Sequence, residues 1–343
     1  MAYTVSASEK LRKSGAEMET KSMLYLMNIY SESDEIYYFV VDFFNDMTGM
    51  NRTAKKLWDM QSKGAKNSSP LAIGKELVTL YKNYVSEIEF NAYILFLGGV
   101  SSTVRRDDSK NVFKIDNIEE KALGKIRNGL KQECEAKEYI ESDKIKDELI
   151  AEFLGKVLFV IDEMEPSEYV KKIIKLQPGV IPGEEVLVAI FNEIRDAQAS
   201  KKNINCVEGI TIETTDEALD YCRHLTSDEI RLMVLQRILN RDIMGKGIPV
   251  SYIEIYNRCP PEKRSDLLAQ CQSACCRALF NKNCADGFWK FFEYLYRELT
   301  KDKNKTVDAI YRDIPNDILD GCPDFNVTSF KYFIAIVKDG LEE

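Results

Sequence analysis

The run Ile36-Tyr37-Tyr38-Phe39-Val40-Val41-Asp42-Phe43-Phe44-Asn45-Asp46, followed after a short break by Leu57-Trp58-Asp59-Met60-Gln61-Ser62-Lys63, decides how the first third of this chain is read. Both runs open apolar and close on polar groups, as strands do when they leave a core. Side chains alternate across a strand. Asp42 and Asp46 are therefore predicted to share one face, and Asp59, Gln61 and Lys63 to share another. Between the runs, Gly49 and Asn51 mark a turn. Carboxylates, an amide oxygen and a lysine brought together at strand ends are the groups that metal-assisted phosphodiester hydrolysis uses.

The flanking sequence builds an α/β unit around this pair. Residues 8–30 carry Met18, Met23, Leu24, Leu26, Met27 and Tyr30 on one side and Lys10, Arg12, Lys13 and Lys21 on another, which predicts a helix. Pro70 after Asn67-Ser68-Ser69 marks a helix start, and Leu77, Leu80, Tyr81 and Tyr84 continue at helical spacing. The apolar run from Phe90 to Leu97, closed by Gly98 and Gly99, suits a strand buried on both faces. The predicted order is helix, strand, strand, helix, strand, over residues 1–115.

From residue 116 to 343 the pattern turns helical. Helices are predicted over 117–137, 142–163, 183–199, 215–223, 227–241, 261–279, 285–299 and 328–339, with an extended stretch at Gly209–Ile212. Pro178 to Gly183 and Pro260-Pro261 read as loops. The aromatic run Phe288 to Tyr296 reads as a helix buried in its own domain rather than a stacking platform. This helical region, residues 116–343, carries no recognisable chemistry and is expected to bind partners or regulate.

Composition removes several function classes. A single histidine, His224, leaves little from which to build a Ser-His-Asp hydrolase or a two-histidine zinc site. Nine cysteines form no Cys-x-x-Cys pair, so Cys271, Cys275, Cys276 and Cys284 read as reduced thiols on a helix face. No apolar run approaches the roughly 18–20 residues that cross a bilayer, and the N-terminus lacks a signal-peptide pattern. A cytoplasmic location is expected. The net charge of −9 argues against coating nucleic acid unaided. Between Met50 and Pro70, however, Arg52, Lys55, Lys56, Lys63 and Lys66 face Asp59 alone.

The spacing Asp46…Gln61-x-Lys63 after a helix resembles the PD-(D/E)xK nuclease superfamily. Its Gln-x-Lys variant is similar to the nuclease domains of CD-NTase-associated and Lamassu-type antiphage double-stranded DNA endonucleases. Gly15-Ala16-Glu17-Met18-Glu19 fits the family's helix signature, with Glu19 as the metal-side acid and Glu17 as its fallback. The resemblance implies a restriction-endonuclease-like α/β sandwich, a mixed sheet flanked by helices, ahead of the helical region. It also implies Mg²⁺, with Mn²⁺ as a substitute, held by Glu19, Asp46 and the Gln61 carbonyl, and Lys63 as catalytic lysine. Double-stranded DNA is the expected substrate. The expected context is the effector subunit of an antiphage complex, restrained by an ATPase or sensor partner, with homo-oligomer formation left open. Three features depart from the pattern: Gln61 stands where the family usually has an acid, two strands rather than three precede the second helix, and Asp42 competes with Asp46 for the metal-ligand role. A non-catalytic adaptor that keeps the nuclease fold is the competing expectation.

Overall fold

The computed structural model describes residues 3–5, 13–174, 181–202, 204, 206–240, 247–281 and 285–342. The predicted helical positions 8–12, Cys284 and Pro178 lie outside them. Contacts divide the chain into two compact units, Met1–Tyr169 with Asn192–Ser227, and Val170–Phe191 with Asp228–Glu343.

The first unit is organised by a seven-stranded mixed sheet. Its elements begin with β1 (Tyr3–Thr4) and α1 (Lys13–Asn28), then β2 (Tyr38–Val41), β3 (Met47–Met50) and β4 (Leu57–Lys63). There follow α2 (Pro70–Glu76), α3 (Val78–Tyr84), β5 (Ala92–Leu97), β6 (Val112–Phe113), α4 (Glu120–Glu135), α5 (Asp147–Lys156) and β7 (Val157–Ile161), then α6 (Pro166–Ile174) and α7 (Glu184–Lys202), whose residues are divided between the two units. Then come β8 (Thr211–Ile212), which pairs with β1 in a separate ribbon, and β9 (His224–Thr226). Strand order across the sheet is β6-β7-β5-β4-β3-β2-β9. From β9 to β4 the neighbours are antiparallel; β4, β5 and β7 are parallel to one another.

Three strands, not two, precede the second helix. The first run ends as a strand at Val41, because Asp42 adopts a left-handed φ of 50° that turns the chain. The Asp42 N–H then donates to the Asp46 carbonyl at 3.2 Å, closing a loop from which β3 returns. Asp42 and Asp46 therefore sit in a turn and do not share a strand face. Gly49 belongs to β3, facing Ile36. The turn lies beyond it, where Asn51 Oδ1 accepts the N–H groups of Lys55 and Lys56 at 2.9 and 3.2 Å.

β4 and β5 form the middle of the core, and their alternation separates two layers of helices. Phe96 meets Tyr25 of α1 with ring centres 5.5 Å apart, whereas Tyr93 meets Tyr84 of α3 and Phe153 of α5, each at 5.7 Å. Phe96 lies three positions after Tyr93, an odd number, so α1 and the α3–α5 layer lie on opposite faces. Ser69 caps α2 by accepting the Ala72 N–H at 3.3 Å, with Pro70 at the first helical position. A β-carbon at Gly74 would meet the Ile126 carbonyl at 2.1 Å, and one at Gly129 the Leu71 carbonyl at 2.3 Å. Glycine at both places lets α2 and α4 touch backbone to backbone.

The sheet continues past residue 115. Val157–Ile161 is a central parallel strand inside a stretch whose sequence reads as helix over 142–163. Five apolar residues buried on both faces carry no period by which a strand differs from a buried helix. His224 is likewise an edge-strand residue beside Tyr38 rather than a helix end.

The second unit is helical: α8 (Ser227–Leu239), α9 (Ile253–Asn257), α10 (Arg264–Phe280), α11 (Ala285–Lys301), α12 (Val307–Asp313), α13 (Asn316–Asp320) and α14 (Val327–Glu342). The aromatic run on α11 forms its core, with Phe291 against Phe330 at 5.1 Å and Phe333 at 5.8 Å. Cys271 and Cys275 are buried one turn apart on α10, and burial pushes both thiols up. No helix among the described residues is long and apolar enough to cross a membrane.

The α2–α4 contact gives a paired stability test. Gly129→Ala should cost about 1–3 kcal/mol, because backbone rather than a pliable side chain must move. Gly124→Ala, on the same helix with open space around it, should stabilise by roughly 0.5–1 kcal/mol. Equal denaturation midpoints for the two variants would contradict this packing.

Candidate functional site

Asp46 ends the β2–β3 loop directly beside the carboxyl-terminal half of β4, because β3 pairs with β4 in a register that sets Met47 opposite Met60. Its Oδ2 accepts from Gln61 Nε2 at 2.8 Å, from the Ser62 N–H at 3.0 Å and from Ser62 Oγ at 3.1 Å. One carboxylate oxygen thus ties the loop to the strand. Gln61 is buried, and its Oε1 accepts from Thr79 Oγ1 of α3 at 2.8 Å. Lys63, half-buried at the end of the strand, pairs with Glu76 of α2 at 3.4 Å.

Asp46, Gln61 and Lys63 line one cleft of about 390 Å³. Its other polar walls include Lys75, Thr79 and Lys82 from the α2–α3 segment and Lys137 beyond α4. The sequence offers no functional motif at Lys75, Lys82 or Lys137. Lys75, Thr79 and Lys82 fall at spacings of four and three, one helical face, and that spacing was the available signal. Of the basic residues chosen from sequence, Lys63 lines the cleft, but three are placed otherwise. Arg52, Lys55 and Lys56 lie before the first residue of β4, and Lys63 ends it; six residue steps of strand put these ends about 20 Å apart. Arg52 stacks over Tyr37 at 3.6 Å, and Lys56 pairs with Glu35.

Glu19 does not line the cleft. It projects from α1, where its Oε2 is held by Lys202 Nζ of α7 at 2.7 Å and approached by Gln198 Nε2 at 3.5 Å. Burial pushes its carboxyl above the usual range against the pull of Lys202, and the charge of Asp46 adds to the push. Glu19 and Asp46 therefore lie within electrostatic reach of each other. Glu17, the fallback acid, is exposed and pairs with Lys21 at 3.7 Å.

Asp42 joins the same cluster through its left-handed turn. Its Oδ2 meets the buried guanidinium of Arg223 at 2.9 Å. Burial still drives its carboxyl up to about 6, with Lys202 and Arg223 opposing and Asp46 and Glu19 reinforcing. Asp59 sits apart, fully buried beneath the cleft, accepting from Asn83 Nδ2 at 2.7 Å. Burial carries it to about 7. The neighbouring Lys82 is brought down to about 8, also by burial. Asp59 is thus a proton-holding support for the loop: Asn83 Nδ2 also donates to the Phe44 carbonyl, at 3.2 Å.

Among the described residues, no group of three or more histidine, cysteine or acidic side chains is gathered as a metal cage. The groups the resemblance assigns to a cation, the Asp46 and Glu19 carboxylates and Gln61 Oε1, are hard oxygens, although Glu19 lies outside the cleft and Gln61 turns its Nε2 rather than its Oε1 to Asp46. That set suits Mg²⁺, which takes one or two carboxylates and keeps its remaining waters. No protein-family model, no curated protein and no solved structure matches the chain.

Asp59 supplies a pH test. The unfolded chain releases this proton near pH 4 and the native chain only near 7, so across that window the native state holds an extra proton and stability declines as pH rises. Asp59→Asn should remove that decline and leave the protein more stable at neutral pH by on the order of 1 kcal/mol. Urea denaturation at several pH values measures both, and a variant with the wild-type decline would refute a protonated Asp59.

Proposed function

We propose that the chain is a metal-dependent DNA endonuclease of the PD-(D/E)xK type. The observation that carries this reading is the convergence of Asp46, Gln61 and Lys63 on one cleft, with the charge of Asp46 felt at Glu19. The order of α1, three antiparallel strands, two helices and a parallel strand supports it, since the family core has three strands before its second helix.

Glu19 and Asp46 would hold the cation, with Gln61 contributing its carbonyl oxygen. Bound there, Mg²⁺ would neutralise charge on the phosphoryl oxygens and lower the pKa of an attacking water. The remaining work falls to the chain itself. Ser62 and Gln61 fix the Asp46 carboxylate through hydrogen bonds, so the site loses little order when substrate arrives. The Lys63 ammonium stands at the carboxyl end of β4, where it can stabilise the charge that develops on the phosphorane oxygens. Lys75 and Lys137 on the cleft wall offer phosphate contacts to a strand otherwise repelled by a protein of net charge −9. Duplex DNA as substrate and an effector role within an antiphage complex, restrained by a partner subunit, follow from the resemblance of the Gln-x-Lys pattern.

One arrangement favours the non-catalytic adaptor instead. Gln61 is engaged at both ends of its amide and Glu19 by Lys202, so each candidate ligand already has a protein partner.

Plasmid cleavage with Mg²⁺ separates the two readings. Lys63→Ala and Asp46→Asn should each lower cleavage at least about 10²-fold while circular dichroism remains that of wild type. Cleavage by folded Lys63→Ala at the wild-type rate would remove the endonuclease assignment.

A further inference from the structure

We propose that Lys202 is the resident counter-ion of this site: its ammonium occupies on Glu19 the place a divalent cation requires, so metal binding and the Lys202–Glu19 pair exclude one another. The inference rests on Glu19 and Asp46 being metal ligands, and it adds a positioning residue that no sequence motif indicates.

Both partners are sheltered, the Lys202 side chain 7% and the Glu19 side chain 14% exposed, so solvent screens their pairing little. Lys202 is held in place by its own helix. One turn earlier on α7, Gln198 is 2% exposed; it accepts from Thr20 Oγ1 at 2.8 Å and directs its amide at Glu19. The Ala16 carbonyl lies equally close to Thr20 Oγ1, at 2.8 Å, so the one hydroxyl hydrogen is shared between the two acceptors. The last turn of α7 is thereby clamped to α1, and the ammonium is carried to the carboxylate by a fixed scaffold rather than by a wandering side chain.

The charge pattern makes Lys202 more than a clamp. Glu19, Asp42 and Asp46 influence one another, and within that acidic group Lys202 acts on both Glu19 and Asp42, while Arg223 serves Asp42 and Lys63 reaches Glu19. A divalent cation held by Glu19 would have to share that carboxylate with the Lys202 ammonium, where like charges repel strongly. Removing that ammonium leaves the same ligands with one more uncompensated negative charge. Coupling of this kind is reciprocal: if Lys202 weakens metal binding, metal must weaken the hold of Lys202 on Glu19.

The test is calorimetric titration of the full chain with Mn²⁺, comparing wild type, Lys202→Gln, Lys202→Arg and Asp46→Asn, with hydrogen exchange of the wild type over residues 198–202. Lys202→Gln should bind Mn²⁺ at least about tenfold more tightly than wild type, Lys202→Arg within about threefold of it, and Asp46→Asn should lose binding. Mn²⁺ should speed exchange at 198–202 in wild type. That last readout stands even if Lys202→Gln fails to fold. Asp46-dependent binding that is equal or weaker in folded Lys202→Gln, or exchange at 198–202 unmoved by saturating Mn²⁺, would overturn the counter-ion role and leave the metal site standing. No Mn²⁺ binding by any variant, Lys202→Gln included, would overturn both.

Discussion

The Oδ2 atom of Asp46 collects three donors from two consecutive residues of β4, and the candidate site depends on that junction. A loop that reverses through a left-handed aspartate would otherwise be free to place its carboxylates anywhere along the sheet end. Pinned to Gln61 and Ser62, it must put Asp46 beside Lys63. The junction also falls where the sheet changes character, since β4 is antiparallel to β3 and parallel to β5. Asp46 meets Gln61 and Ser62 toward the carboxyl end of β4. Lys63 closes β4 at that end.

Burial then governs the chemistry. Glu19, Asp42 and Asp59 all have carboxyls raised by desolvation, and the cations near them come from distant parts of the chain: Lys202 from α7, Arg223 from the approach to β9, Lys82 from α3. Concentrating carboxylates in a sheltered place costs free energy unless each is paired or protonated. Here both devices operate. Asp42 and Glu19 are paired, whereas Asp59 keeps its proton up to about pH 7. An arrangement so compensated holds its acids in position.

Much of this is legible in the sequence, for local reasons. The α1 helix, the buried strand β5 and the start of α2 announce themselves through period and capping, and Asp46, Gln61 and Lys63 through their position at strand ends. The turn at Asp42 is not legible, because nothing in an unbroken apolar run signals a left-handed φ at one aspartate. The strand Val157–Ile161 is hidden by its own burial. Arg52, Lys55 and Lys56 mislead because closeness in sequence is not closeness in space: a strand carries its two ends about 20 Å apart. Lys202 and Arg223 could not be found at all, since their roles arise from tertiary contact across most of the sheet unit.

The central claim is that Glu19 and Asp46 are ligands of one divalent cation. Crystals of the full chain grown with Mn²⁺, with data collected for anomalous scattering, test it most directly. The account predicts a single strong peak about 2.1–2.3 Å from oxygens of both Asp46 and Glu19, with the Lys202 ammonium withdrawn from Glu19. No peak at saturating Mn²⁺, or a peak whose ligands exclude Asp46, would contradict it.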